Sequence, residues 1–194
     1  MITGIILASG FSQRMNKNKL LLEVEGIPLV ERVIKAVKSS NIDKCVLIYQ
    51  KDEIKEIAYT HGIRAVHNPY ADEGQSAAVK IGVKSSHPDT DGFIFFVGDQ
   101  PYLNPSTINK LIDEFQKEKD TIVVPLYNGK RGNPVIFPST LKEDLLRLDG
   151  DSGGRKIIEE KEERVKLVTI ENSIEGKDID TEEDLSPPQV PSRR

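Results

Sequence analysis

The chain has 194 residues, of which 37% are hydrophobic and 30% charged, and this predicts one globular domain with a sizeable core. Its net charge of −4 argues against nucleic acid as the main partner, because binding to a phosphate backbone needs a basic surface. The single cysteine, Cys45, excludes an intramolecular disulfide and a thiolate metal cluster, and its apolar neighbours predict a core residue. Since no apolar run approaches the ~20 residues of a membrane span and residues 1–8 lead directly into the fold, we expect a cytoplasmic protein with no membrane partner.

Strands and helices are predicted to alternate through the first two thirds of the chain. Short apolar runs predict strands over about 3–7, 44–49, 64–66, 93–97 and 121–125. Apolar residues at helical spacing predict helices over about 28–39, 51–59 and 77–85, and a fourth that Asn104 caps and Pro105 opens. The alternation implies right-handed crossovers and an α/β fold with a mostly parallel central sheet and helices on both faces. The most hydrophobic strand, 93–97, is expected at the centre of the sheet, and Gly82 is expected to allow close packing of its helix.

This pattern changes after about residue 128. A loop at 129–134, a strand at 135–137 and a helix at 141–148 precede a Gly-rich turn at 150–154, a helix to about residue 160 and a strand at 165–170. No internal repeat or interdomain linker is found, so residues 1–185 are predicted to form a single domain. Residues 186–194 are rich in proline and are predicted to form a disordered tail.

The first strand leads into a loop of small residues, including Ser9 and Gly10, that is followed by the cations Arg14, Lys17 and Lys19. Small residues allow backbone N–H groups to approach a bound anion closely, and nearby cations neutralise a polyphosphate. Ligands of open α/β sheets bind outside the carboxyl ends of the strands. The opening stretch therefore predicts a nucleotide site at the end of the first strand.

Acidic residues follow two further strand ends, in the stretches 98–101 and 178–180. Asp99 directly follows the most hydrophobic strand, so a rigid element would hold its carboxylate at the same edge of the sheet. Two carboxylates facing a polyphosphate are a natural Mg²⁺ site, at which Arg14 and Lys19 would neutralise the phosphates. Simpler interpretations stay open: an Asx turn at Asp99, a solvated acidic face over 171–184, an exposed loop for the cations and a plain turn at 150–154.

Several other classes of site are excluded by missing motifs. The chain has no Gly-x-x-x-x-Gly-Lys-Ser/Thr sequence, no Gly-x-Gly-x-x-Gly fingerprint and no Gly-x-Ser-x-Gly elbow. Its three histidines, His61, His67 and His87, show no metal-ligand spacing and are expected at the surface or in turns.

The stretch 7–15, Leu-Ala-Ser-Gly-Phe-Ser-Gln-Arg-Met, followed by Lys19, resembles the opening signature of nucleotidyltransferases with a GT-A-like α/β fold. Within the MobA-like NTP transferase family, the chain is most similar to the molybdenum cofactor cytidylyltransferase branch. Further matching stretches occur in the family's order and extend the resemblance over residues 4–185: 74–76 (Gly-Gln-Ser), 98–101 (Gly-Asp-Gln-Pro), 131–134 (Arg-Gly-Asn-Pro), 150–155 (Gly-Asp-Ser-Gly-Gly-Arg) and 178–185.

The resemblance implies a three-layer, Rossmann-like fold of the GT-A type, and a Mg²⁺-dependent transfer of CMP from CTP to the phosphate of molybdopterin, with release of pyrophosphate. A molybdoenzyme would be the recipient of the product. By the same resemblance, Arg14 and Lys19 are the catalytic residues, and Asp99 and Asp180 bind the metal. The implied nucleotide-binding residues are Leu7, Ala8, Ser9, Gly10, Ser12, Gly74, Gln75 and Ser76. The implied acceptor-binding residues are Arg131, Asn133 and Arg155.

Alternative functions remain open at the level of the sequence. The opening loop is shared by transferases that use GTP and by those whose acceptor is a sugar or polyol phosphate. A chaperone that binds the molybdenum cofactor without turnover and a domain with a non-catalytic anion site are two further candidates.

Overall fold

The computed structural model describes residues 1–10, 18–180 and 184, so Ser12, Arg14, Lys17 and the whole predicted tail lie outside the described residues. The strands are β1 (Ile2–Ala8), β2 (Glu23–Val24), β3 (Ile27–Pro28), β4 (Lys44–Tyr49), β5 (Arg64–His67), β6 (Gly92–Val97), β7 (Ile122–Tyr127), β8 (Lys130–Arg131), β9 (Val135–Pro138) and β10 (Val165–Ile170). The α-helices are α1 (Leu29–Lys38), α2 (Asp52–Thr60), α3 (Gln75–Ser85), α4 (Pro105–Lys117), α5 (Lys142–Leu146) and α6 (Arg155–Glu160). Short 3₁₀ turns cover Lys19–Leu21, Ala71–Glu73, Ser139–Leu141, Glu162–Arg164 and Ser173–Gly176.

A single large sheet has the strand order β10-β7-β9-β6-β1-β4-β5, with β8 paired to β7. The prediction that residues 93–97 form the central strand is confirmed, because β6 lies in the middle of this order. Pairs β6–β1, β1–β4, β4–β5 and β7–β10 are parallel, whereas β9 runs antiparallel to both β6 and β7. The expected α/β architecture with a mostly parallel sheet is therefore confirmed.

Helices cover both faces of this sheet, as expected. Consecutive residues of β1 point to opposite faces: Ile6 packs in a cluster with residues of α1, α2 and α4, and Ile5 packs in a cluster with residues of α3, α5 and α6. Both side chains are fully buried. Such burial on two faces explains why β1 is a continuous apolar run rather than an alternating one.

The predictions for Gly82 and Asn104 are confirmed, and the bounds of one helix are corrected. A Cβ atom at Gly82 would overlap the side chain of Ile5, so this glycine brings α3 close to β1. The side chain of Asn104 caps α4 by accepting a hydrogen bond of 2.9 Å from the backbone N–H of Ser106. The helix predicted over 141–148 is shorter, since Ser139–Leu141 forms a 3₁₀ turn and α5 ends at Leu146.

Two hairpins were not predicted. Strands β2 and β3 flank Glu25 and Gly26, and β7 and β8 flank Asn128 and Gly129. All four turn residues have positive φ, as a type I′ turn requires at its two central positions. The sequence signal for the second hairpin is the Asn-Gly pair itself. The loop predicted at 129–134 is therefore wrong in part, because Lys130–Arg131 forms β8.

Within the described part of the chain, no helix is long and apolar enough to cross a membrane.

Candidate active site

The neighbouring strands β1 and β6 lead into the site side by side. The backbone N–H of Gly98 donates to the carbonyl of Leu7 over 3.2 Å. A Cβ atom at Gly98 would lie 3.1 Å from Cδ1 of Leu20. The 3₁₀ turn Lys19–Leu21 therefore packs directly on the end of β6. The side chain of Asn18 caps this turn by accepting a hydrogen bond from the N–H of Leu20.

Lys19 joins the two predicted metal ligands. Its Nζ atom lies 2.8 Å from Oδ2 of Asp99 and 2.7 Å from Oδ1 of Asp180. The backbone N–H of Ile179 donates to the carbonyl of Asp99 over 3.0 Å, and this bond holds the segment of Asp180 beside the end of β6. The carboxylate oxygens of Asp99 and Asp180 thus lie within the sum of two hydrogen-bond lengths of each other.

Asp99 keeps one free acceptor. Its Oδ1 atom is buried and accepts no hydrogen bond from any described residue. A buried carboxylate oxygen without a donor is costly, so this atom is a place where a bound cation would stabilise the protein.

Electrostatic effects differ between the charged groups of this cluster. Burial alone would lower the pKa of the Lys19 ammonium, but the hydrogen bonds and charges of Asp180 and Asp99 outweigh burial, and the pKa is raised above 10.5. Lys19 is therefore fully charged at neutral pH. Burial, together with the charge of Asp99, raises the pKa of Asp178, and a hydrogen bond of 2.8 Å from Gln100 partly offsets this.

A cavity of about 810 Å³ opens at this cluster, a size suited to a nucleotide-sized ligand. The described residues that line it are Leu7, Ser9, Gly10, Asn18, Lys19, Leu20, Ala71, Asp72, Gly74, Gln75, Ala78, Val97, Gly98, Asp99, Asp151 and Asp180.

Part of the wall of this cavity is built by two loops in close contact. Gly74 has a φ of +95°, and a Cβ there would lie 2.6 Å from Oδ1 of Asp151. The N–H of Ser76 donates to the carbonyl of Gly150 over 3.1 Å, and a Cβ at Gly153 would lie 2.5 Å from Oε1 of Gln75. Glycine at these positions allows the start of α3 to pack against the Gly-rich turn before α6.

A second cavity of about 770 Å³ adjoins the first. Its wall includes apolar side chains of the central sheet, and Lys130, Arg131 and Arg155 contribute positive charge. Four residues, Leu7, Gln75, Val97 and Asp151, line both cavities. The two cavities therefore meet beside the ends of β1 and β6.

The structure brings most of the predicted site residues together. Among the predicted nucleotide-binding and metal-binding residues, those lining the first cavity are Leu7, Ser9, Gly10, Lys19, Gly74, Gln75, Asp99 and Asp180. The predicted acceptor-binding residues Arg131, Asn133 and Arg155 line the second, where Arg131 pairs with Glu162 and Arg155 with Glu159. Ala8 and Ser76 are buried and line neither cavity, while Ser12 and Arg14 lie outside the described residues.

Two residues of the site were not predicted. Asn68 is 1% exposed, and its side chain donates to the Ser9 hydroxyl over 2.9 Å and accepts from the N–H of Tyr70 over 3.0 Å. Asp151 lines both cavities. The signal for Asp151 was present in the Gly-rich stretch 150–155, whereas the contact between Asn68 and Ser9 joins loops 59 positions apart and carries no local sequence signal.

Other candidate chemistry is weak in the described part of the chain. No group of three or more His, Cys, Asp and Glu side chains there has the geometry of a metal site. Burial raises the pKa of the Cys45 thiol to about 12, so this residue is not a thiolate nucleophile at neutral pH.

Comparison with known proteins agrees with this geometry. The purine catabolism protein PucB of Bacillus subtilis is 28% identical over 94% of this chain and 93% of its own length. A protein described as a probable molybdenum cofactor guanylyltransferase of Natranaerobius thermophilus is 27% identical over 66% of this chain and 62% of its own length. The crystal structure of Rv0371c from Mycobacterium tuberculosis H37Rv matches with a TM-score of 0.81 and 25% identity, covering 94% of each chain.

The fold and the family match together define an enzyme of the nucleotidyltransferase class. Residues 4–165 match the MobA-like NTP transferase domain, and the chain belongs to this family.

Proposed function

We propose that this nucleotidyltransferase moves CMP from CTP to the terminal phosphate of molybdopterin, with Mg²⁺ as the metal and pyrophosphate as the second product. The observation that carries the proposal is that the cavity lined by Lys19, Asp99 and Asp180 shares part of its wall with a second cavity. A transfer between two substrates requires the donor and the acceptor to bind next to each other, and positioning of this kind supplies a large part of the rate. A carrier of one ligand needs only one of the cavities.

In this reaction, an oxygen of the acceptor phosphate forms a bond to the α-phosphorus of the nucleotide. The bond from the α-phosphorus to the bridging oxygen breaks, and pyrophosphate leaves. A protein nucleophile is not needed, and this agrees with the neutral thiol of Cys45. The demand on the protein is for positioning and for neutralisation of negative charge.

The donor set fits Mg²⁺. Asp99 and Asp180 offer hard oxygen ligands held close together by Lys19. The Oδ1 atom of Asp99 accepts no hydrogen bond from the described residues and is therefore available to a metal ion. Mg²⁺ often uses only one or two carboxylates and completes its shell with water and substrate phosphates. When bound, the ion would polarise phosphate oxygens and offset their charge.

Several residues of the chain have roles that do not depend on the ion. Lys19 lines the first cavity and is positively charged at neutral pH, so it can donate hydrogen bonds to phosphate oxygens. Asn68 fixes the hydroxyl of Ser9 at the end of β1. In the second cavity, the apolar wall suits a flat ring system, and the cations Arg131 and Arg155 suit a phosphate.

The choice of acceptor and base draws on similarity. The relative described as a probable molybdenum cofactor guanylyltransferase supports molybdopterin as the acceptor. The stretches 98–101 and 131–134 resemble the molybdopterin-type branch and support the same acceptor. CTP is proposed from the resemblance of the chain to the cytidylyltransferase branch, whereas that relative's name makes GTP the main competitor.

The test is the release of pyrophosphate from each of the four nucleoside triphosphates with Mg²⁺, measured with and without molybdopterin. We expect release that requires molybdopterin and is fastest with CTP. Release with a sugar phosphate and none with molybdopterin would overturn the proposed acceptor, and faster release with GTP would overturn the proposed base.

Variants of Asp99 separate an enzyme from a carrier. We expect Asp99→Asn to lower kcat by about 10²- to 10³-fold, because it weakens the proposed Mg²⁺ site and with it the neutralisation of the reacting phosphates. The matched control is Asp113→Asn on the exposed side of α4, which should leave turnover unchanged. A carrier that does not catalyse the transfer would show no turnover in the wild type and would bind molybdopterin equally well in both variants.

A further inference from the structure

Tyr127 contacts the two segments that carry the acceptor-side and metal-side residues of the proposed reaction. It is the last residue of β7, is 7% exposed, and precedes the segment 128–134, which carries Arg131 and Asn133. The segment 173–180, which carries Asp178 and Asp180, also packs on it. Tyr127 itself lines neither cavity.

The phenol group anchors the first of these segments. Its hydroxyl donates to the backbone carbonyl of Asn133 over 2.9 Å, across a cis peptide bond from Pro134. A Cβ atom at Gly132 would lie 2.7 Å from Cδ2 of the ring. The backbone of residues 132–133 therefore rests on the tyrosine at two points.

The same ring supports the second segment. A Cβ atom at Gly176 would lie 2.6 Å from Cγ of Tyr127, so the backbone of the 173–180 segment also packs directly on the ring. The side chain of Gln100, itself 3% exposed, donates to the carbonyl of Gly176 over 3.4 Å and to Oδ1 of Asp178 over 2.8 Å. Gln100 follows Asp99 in sequence, and this connects the contact with Tyr127 to both carboxylate-bearing segments.

The tyrosine is well suited to act as a hydrogen-bond donor. Burial, reinforced by the charge of Glu175, raises the pKa of the Tyr127 phenol, so the hydroxyl stays protonated over the whole working pH range. Glu175 is itself buried and accepts a hydrogen bond of 3.1 Å from the N–H of Asn104, at the start of α4. The segment 173–180 is thereby tied to a long helix as well as to Tyr127.

We propose that Tyr127 is a positioning residue that holds the acceptor-side segment 128–134 in a fixed relation to the metal-side segment 173–180. The acceptor phosphate and the metal-bound nucleotide approach each other from these two segments, and a small displacement at either one changes the reacting distance. The inference rests on the proposed function in naming molybdopterin as the ligand of the second cavity and Asp180 as a metal ligand.

The main test is Tyr127→Phe, which keeps the ring and removes the hydroxyl. We expect the KM for molybdopterin to rise about 3- to 10-fold, as for the loss of one hydrogen bond, while the KM for the nucleotide stays within twofold of the wild type. Hydrogen exchange of the backbone amides of residues 130–133 should become faster in the unliganded variant. Tyr49→Phe is the matched control. Tyr49 ends the parallel strand β4, lines neither cavity and has no hydroxyl hydrogen bond within the described residues. Its variant should change neither the KM for molybdopterin nor the exchange rates.

A second variant tests the link between the segments. Gly176→Ala adds a methyl group against the ring from the metal side, and we expect it to raise the KM for molybdopterin although Gly176 lines neither cavity. In a Tyr127→Leu background the ring is absent, so Gly176→Ala should add no further increase. If Tyr127→Leu gives no folded protein, Tyr127→Phe and Gly176→Ala decide the matter.

These outcomes separate the inference from the proposed function. Unchanged exchange of residues 130–133 in Tyr127→Phe would overturn the anchoring role. Faster exchange with an unchanged KM for molybdopterin would overturn the positioning role. Additive effects of Gly176→Ala and Tyr127→Leu would overturn the coupling. If the wild type shows no turnover with molybdopterin, the proposed function fails, and the exchange measurement alone then decides whether Tyr127 anchors the segment.

Discussion

Lys19 and Asp180, which are 161 positions apart in the sequence, are joined by a hydrogen bond of 2.7 Å between Nζ and Oδ1. The same nitrogen lies 2.8 Å from Oδ2 of Asp99. The sequence predicts that Lys19 contacts the phosphates of a nucleotide. In the structure it forms ion pairs with the two carboxylates proposed to hold Mg²⁺. The ammonium and a metal ion therefore have the same two carboxylates as partners, and the nucleotide phosphates compete with the carboxylates for Lys19.

This shared position predicts that Lys19→Met binds a divalent metal more tightly than the wild type in the absence of nucleotide. Removal of a positive charge next to the carboxylates should raise the affinity for Mn²⁺ about 3- to 10-fold, a value that allows for screening by solvent. The measurement is isothermal titration with Mn²⁺, with Lys84→Met on the exposed end of α3 as the control. Equal or weaker binding by Lys19→Met would contradict the competition.

The contact between Asn68 and Ser9 predicts a loss of both stability and nucleotide affinity in Asn68→Ala. One buried and one partly buried hydrogen bond disappear, so we expect the free energy of unfolding in urea to fall by about 1–3 kcal/mol and the KM for the nucleotide to rise. Asn109→Ala is a matched control, because its amide oxygen also accepts from a backbone N–H, that of Asn41, but at an exposed position away from the cavities. An unchanged KM in Asn68→Ala would show that the position of Ser9 is set by other contacts.

The packing of α3 on β1 predicts that Gly82→Ala is destabilising, although alanine is the better helix former. The added methyl group would overlap Ile5, and overpacking of this kind costs about 1–3 kcal/mol. Urea unfolding of Gly82→Ala, Ile5→Ala and the double variant checks this, because Ile5→Ala makes room for the methyl group. The double variant should then be more stable than the sum of the two single effects predicts, and strict additivity would contradict the overlap.

The extent to which the sequence predicted this structure follows from the range of the interactions. The bounds of β4 and β10 were predicted correctly because each is a run of six residues with an unambiguous pattern. Strands of two residues such as β2 and β8 are too short for an alternating pattern to repeat, and they depend on the turns of their hairpins. The antiparallel direction of β9, and the ion pairs that bring Lys19 to Asp180, depend on contacts between distant parts of the chain, for which one sequence holds no pattern.

The ion pairs of Glu114 predict a specific pH dependence of stability. Hydrogen bonds from Lys117 and Lys166, at 2.6 and 2.8 Å, lower the pKa of the Glu114 carboxyl from 4.5 to about 2. A carboxyl whose pKa is lower in the folded state contributes stability above its unfolded pKa and loses it as the pH falls through the folded value. This contribution should be complete above about pH 4.5 and should disappear towards pH 2.

Urea unfolding between pH 6 and pH 2 tests this prediction. In Glu114→Gln the loss of stability over that range should be smaller than in the wild type, because the carboxyl that takes up a proton is absent. Lys166→Met should flatten the same curve part of the way, since it removes one of the two partners. A Glu114→Gln curve parallel to that of the wild type would show that the pair between α4 and β10 makes no contribution.

The close contact of Gly74 with the Gly-rich turn predicts that Gly74→Ala disturbs both cavities at once. A Cβ at Gly74 would lie 2.5 Å from the carbonyl carbon of Gly150 and 2.6 Å from Oδ1 of Asp151, so the two loops must separate. Because Asp151 lines both cavities, the KM values for nucleotide and acceptor should both rise. Gly150→Ala is the matched control: its φ of +57° also strains a side chain, but no atom lies within 4 Å of the added Cβ. We therefore expect Gly150→Ala to lower the free energy of unfolding by about 1 kcal/mol with little change in either KM. Equal effects of the two variants on the KM values would mean that backbone strain, and not the contact between the loops, sets the shape of the cavities.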